Sequence, residues 1–73
     1  MASPAQRVII AFKGVRATAR ALGIDPSSVA RWPVPKAKRG LDGRVPSVHQ
    51  ARILQLSEAG GLGLTADDLI RFD

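Results

Sequence analysis

GVRATARALGIDPSSVARW, residues 14–32, decides the fold of this 73-residue chain. Gly23 interrupts the stretch with the residue that takes a left-handed conformation at least cost, and Asp25 and Pro26 restart a helix directly afterwards. The pattern predicts two short helices joined by a tight turn. The first covers 15–22, with Val15, Ala19 and Leu22 on one side and Arg16 and Arg20 on another, so it is amphipathic and basic. Ile24 can fold back onto its last turn. The second starts at Pro26 and stops near Trp32, because Pro33 disfavours helical geometry in the residue before it and Pro35 repeats the break.

Working outward, Ser3, Pro4 and Gln6 form a helix start: a serine cap, a proline where its missing N–H costs nothing, and a glutamine that reaches back to the cap. Val8, Ile9 and Phe12 supply the apolar face of that first helix, and Gly14 is expected to end it. On the other side, PKAKRGLDGR (35–44) reads as a mobile or extended loop with Leu41 as its anchor. Pro46 and Ser47 open a fourth helix through about residue 59, with Val48, Ala51, Ile53, Leu54 and Leu56 as its apolar face and Gly60 and Gly61 as its stop. Thr65 and Asp68, an aspartate version of a capping box, predict a short fifth helix carrying Leu69, Ile70 and Phe72. No segment alternates as a strand does. The expected architecture is all-α, a compact bundle of about five short helices containing a helix-turn-helix. It forms one domain over 1–73, with a basic loop over 33–45 and C-terminal helices over 46–73 for packing or dimerisation.

Charge sharpens the reading when it is mapped along the chain. Residues 1–44 hold nine basic and two acidic side chains, +7, while residues 45–73 hold two basic and four acidic ones, −2, in agreement with the overall +5. A polyanion-facing first half and a packing or associating second half follow from that asymmetry. There is no cysteine, hence no disulfide and no thiolate metal site, which fits a cytoplasmic protein. The apolar run in MASPAQRVIIAFKG is too short for a secretory signal and meets Lys13 at once, and no run is long enough to span a bilayer.

Two helices around a glycine turn, the second freshly capped and flanked by cations, have the form of a helix-turn-helix. The segment VRATARALGIDPSSVARW resembles the helix-turn-helix of Cro and YdaS-like phage repressors, within the lambda-repressor-like superfamily. Ala19 between the helices, Gly23 in the turn, Ile24 after it, Val29 in the second helix and Trp32 near its end carry the likeness. It covers residues 15–32, and the start of the second helix departs from it, with Pro26, Ser27 and Ser28 where strong base readers such as glutamine or asparagine are usual. The resemblance implies a phage or prophage-derived transcriptional regulator, a repressor, whose recognition helix (about 26–32) enters the major groove of double-stranded DNA.

Within that reading Arg31 is the candidate base reader, able to bind guanine O6 and N7 with both arms of its guanidinium, and Ser27 and Ser28 are weaker ones. Lys13, Arg16 and Arg20 are placed for phosphates. Lys36, Lys38, Arg39 and Arg44 follow the backbone or enter a neighbouring groove. One short helix reads few base pairs, so a homodimer on paired half-sites is expected. Leu62, Leu64, Leu69, Ile70 and Phe72 either form that dimer contact or close the monomer's own core.

Other classes leave fewer traces. His49 has no second histidine to share a metal, Asp67 and Asp68 fit a helix first turn, and Trp32 reads as a core anchor. No nucleophile, acid and base set is visible, so neither an enzyme nor a cofactor is expected. The rivals are binding proteins: a weakly selective architectural DNA coater, suggested by the serines and the basic loop, and a protein-interaction module such as an antitoxin or inhibitor.

Overall fold

Ser3 opens the first helix as its type predicts: its hydroxyl accepts from the Gln6 N–H at 3.2 Å, and the Gln6 side chain accepts from the Ser3 N–H at 3.0 Å. The computed structural model describes residues 3–72. Four α-helices follow in order, α1 (Pro4–Ala11), α2 (Val15–Leu22), α3 (Pro26–Ala30) and α4 (Ser47–Gly60), with no strand among the described residues. None of these helices is long and apolar enough to cross a membrane.

The end of α1 departs from expectation. Lys13, not Gly14, takes the left-handed conformation, at φ 68°. Its N–H donates to the Ile10 carbonyl at 3.0 Å and the Gly14 N–H donates to Ile9 at 2.8 Å, the paired bonds of a Schellman stop. Gly14, at φ 128°, becomes the first cap of α2 instead. At the far end of α2 the same pattern recurs with the expected residue: Gly23 has φ 70°, and the Ile24 N–H reaches back to Ala19 at 3.0 Å.

α3 is one turn and a half, shorter than the 26–32 expected; Arg31 is its last cap and Trp32 lies beyond it. The Asp25 carboxylate anchors its start, accepting from the Ser27 N–H at 2.8 Å and the Ser27 hydroxyl at 2.7 Å. These two bonds, the hydroxyl one foremost, hold the Asp25 carboxyl below the usual carboxylate range, with the Arg31 charge adding to the effect.

The core forms where the helices meet: Val8 and Ala5 of α1, Ala19 of α2, Val29 and Trp32 at α3, Ile53 of α4, and Val45 and Leu69 from the connecting segments. Thr18 is buried among them, its hydroxyl donating to the Gly14 carbonyl at 2.7 Å. On α4 only part of the expected face packs. Val48 is 79% exposed, whereas Ser57, one turn beyond Ile53, is buried with its hydroxyl accepting the Leu64 N–H at 2.9 Å.

The fifth helix is a correction. The Thr65–Asp68 capping bonds both form, at 2.9 and 3.3 Å, yet only a 3-10 turn, Asp67–Leu69, follows. The Arg7 guanidinium of α1 donates to the carbonyls of Asp68 at 2.9 Å and Arg71 at 2.6 Å, satisfying acceptors that so short a turn leaves open.

Residues 33–45 are a second correction, because the segment is folded rather than mobile or extended. A 3-10 turn, Lys36–Lys38, is closed by Arg39 in the left-handed region at φ 66°. The returning chain then pairs with the exit of α3: Leu41 N–H to Arg31 carbonyl at 3.1 Å, Gly43 to Trp32 at 2.7 Å and Asp42 to Val34 at 2.9 Å. The Asp42 carboxylate accepts from the Lys36 N–H across the loop. Gly40 sits so close to Val34 that an added Cβ would collide with the Val34 carbonyl. The anchor is Val45, which is buried, and not Leu41, which is 39% exposed.

Candidate nucleic-acid interface

The candidate interface draws on three elements: α2, α3 and the folded loop. Arg16 and Arg20 stand four residues apart on α2, and Lys13 precedes that helix; all three side chains are exposed. No side chain caps the start of α2, which leaves its first backbone N–H groups without a side-chain acceptor. Arg31 is exposed at the end of α3, and Lys36, Lys38, Arg39 and Arg44 are exposed on the loop.

Among the described residues, none of these eight cations makes an ion pair, in contrast to Arg71, which lies 3.2 Å from Asp67 and 3.6 Å from Asp68. The two acids of the first half accept backbone hydrogen bonds. Asp25 is held by the start of α3, and Asp42 is held by the Lys36 backbone. Arg7, the ninth cation of the first half, is spent on carbonyl groups of the C-terminal turn. Eight like charges on a domain this small repel one another, and a polyanion relieves that repulsion.

Ser27 and Ser28 are not equivalent. Ser27 is exposed, but its proton is committed to Asp25, which leaves its oxygen only as an acceptor. Ser28 is half-buried and borders a surface groove of about 260 Å³. Arg31 lines the same groove from α3, Arg39 and Leu41 line it from the loop, and His49 lines it from α4. Trp32 also lines it, buried to 2% exposure and packed on His49 with ring centroids 6.0 Å apart, as a core anchor. His49 has no ligand set around it: among the described residues no group of acidic, histidine or cysteine side chains is placed to hold a metal ion.

The five apolar residues considered for dimer contact separate by burial. Leu69 is 2% exposed and closes the monomer's core, so it leaves the interface set. Leu64 and Leu62 are half-buried, and Ile70 and Phe72 are exposed. Residues that sequence reasoning passed over are Arg7, Thr18, Asp42 and Ser57. Each acts through a hydrogen bond to backbone, and only Thr18, one helical turn from Gly14, carries a local signal of that role. Comparison of the chain with protein-family models, with curated proteins and with solved structures finds no match.

Proposed function

We propose that this protein is a sequence-specific double-stranded DNA-binding regulator of the Cro and YdaS-like kind, a cytoplasmic repressor of phage or prophage-derived genes. In this reading α2 and α3 form a helix-turn-helix, and α3 enters the major groove. The observation that carries it is the coincidence of two independent features: a glycine-turned helix pair with a carboxylate-capped second helix, and eight exposed cations around it, none in an ion pair among the described residues. Arg31 reads a base with Ser27 and Ser28 as weaker readers, Lys13, Arg16 and Arg20 hold phosphates, and Lys36, Lys38, Arg39 and Arg44 follow the backbone or enter a neighbouring groove. Two copies bind paired half-sites, with exposed Ile70 and Phe72 available for contact between them.

One observation favours a second reading. The Ser27 hydroxyl is occupied by Asp25, which removes a donor from the start of α3 and suits a weakly selective architectural binder. Selection from random duplex DNA separates the two: an enriched palindrome supports the regulator, and bound DNA without an enriched motif supports the coater. Titrating salt tests both. Neutralising 6–10 phosphates weakens binding by roughly 10³- to 10⁵-fold between about 50 and 200 mM salt. Absence of binding to any duplex at the lower concentration overturns both and leaves the protein-interaction module.

A further inference from the structure

Composition marks residues 33–45 as a basic tether, but its backbone is locked to the exit of α3. Three N–H groups of the returning segment, at Leu41, Asp42 and Gly43, donate to carbonyls of Arg31, Val34 and Trp32 at 3.1, 2.9 and 2.7 Å. The loop tip is closed on itself by the Arg39 N–H to the Lys36 carbonyl at 3.0 Å and by the Asp42 carboxylate on the Lys36 N–H. The backbone of Arg39 is therefore held at a fixed place relative to that of Arg31, and both residues line one groove together with Trp32 and Leu41. Neither residue makes an ion pair among the described residues, and the Arg31 charge acts on the Asp25 carboxylate only from beyond ion-pair distance.

We infer that Arg39 is a second specificity-determining residue, reading DNA base edges as a unit with Arg31, and that the folded loop exists to position it. This rests on the DNA-binding reading above. Two planar forks on residues that line one groove suit the O6 and N7 acceptors of neighbouring guanines, with Leu41 on the same groove for a thymine methyl group. A phosphate grip needs only a charge, and a flexible arm supplies that without the three backbone bonds.

The test uses the full chain and duplexes recovered from a random-sequence selection, with affinities from fluorescence anisotropy. Arg39→Lys preserves the charge, and the backbone geometry is one that lysine already adopts at position 13. It is expected to lower affinity for the selected sequence roughly 5- to 150-fold while leaving unselected duplexes within about twofold. Arg39→Gly, free of strain at φ 66°, should cost distinctly less in an Arg31→Ala background than alone, because the two side chains share one contact. Circular dichroism and Trp32 fluorescence check that each variant keeps the fold. Arg39→Lys binding the selected sequence as the unaltered chain does, or additive losses for Arg31→Ala and Arg39→Gly, overturns the inference and leaves DNA binding intact. Failure of the unaltered chain to bind any duplex at about 50 mM salt overturns the DNA reading itself.

Discussion

Lys13 and Gly23 occupy the same position in two copies of one helix stop, and the pair makes a thermodynamic experiment. Their φ angles are 68° and 70°, and in each case the next N–H returns to a carbonyl five residues back, at 2.8 Å for Gly14 to Ile9 and 3.0 Å for Ile24 to Ala19. A side chain in this region costs about 1–2 kcal/mol. Replacing it by glycine loosens the unfolded chain, which gives back about 0.4–1 kcal/mol. Lys13→Gly is therefore expected to stabilise the domain by about 1 kcal/mol, a rise in Tm of about 4–8 °C at this chain length. Gly23→Ala should destabilise by a similar amount, because a Cβ there meets nothing within 4 Å and the cost is conformational alone. Urea unfolding followed by the fluorescence of Trp32, the only tryptophan, reads both variants. On the DNA-binding proposal the DNA readout should move against stability: Lys13→Gly removes a proposed phosphate contact, and its salt slope should fall by about one. A Lys13→Gly protein no more stable than the original would refute the argument from backbone strain, whatever its affinity.

Four further outcomes follow from single contacts. Gly40→Ala should undock the loop by collision with the Val34 carbonyl, seen as faster hydrogen exchange at Leu41, Asp42 and Gly43 while the α4 amides stay protected. Thr18→Val keeps the shape of a buried side chain but loses the hydroxyl bond to Gly14, and urea titration should show a loss of about 0.5–1.5 kcal/mol. Asp25 and Asp68 have lowered pKa values in the fold, from the Ser27 hydroxyl and N–H and from the Thr65 N–H and hydroxyl respectively. Their stabilisation is thus complete above the usual carboxylate range and fades as pH falls through it towards the folded values; Asp25→Asn should flatten that acid limb in a pH series of thermal melts. Arg16→Ala should weaken selected and random duplexes alike and lower the salt slope by about one, as anisotropy titrations at several salt concentrations would show.

Legibility in the sequence followed the range of the forces involved. The capping box at Ser3 and Gln6, the Gly23 stop, the Asp25 cap and the Gly61 end of α4 are all settled within a few residues, and each appears where its residue types place it. The end of α1 was misplaced by one residue because Gly14 offered the cheaper left-handed position. The fold instead uses Gly14 at φ 128°, which is closed to other residues, and lets Lys13 carry the smaller strain. The C-terminal turn, expected as a fifth helix, has a distant partner that no local pattern reveals, since Arg7 lies 61 residues from the Asp68 carbonyl that it binds.

The loop shows most clearly why composition misleads. Gly40, Asp42 and Gly43 are the residues that mark a segment as irregular, and here each one fixes it. Gly40 allows contact with Val34, Asp42 bridges to the Lys36 N–H, and Gly43 donates to Trp32 at 2.7 Å while its own carbonyl accepts the Ala5 N–H of α1 at 2.8 Å. Hydrogen bonds between backbone groups leave no periodic pattern, because every residue but proline can donate one. A sequence can therefore announce eight cations and still conceal which are tethered loosely and which are aimed. Arg16 and Arg20 could be placed from helical spacing alone; the relation of Arg39 to Arg31 emerges only from three main-chain bonds that no side chain encodes.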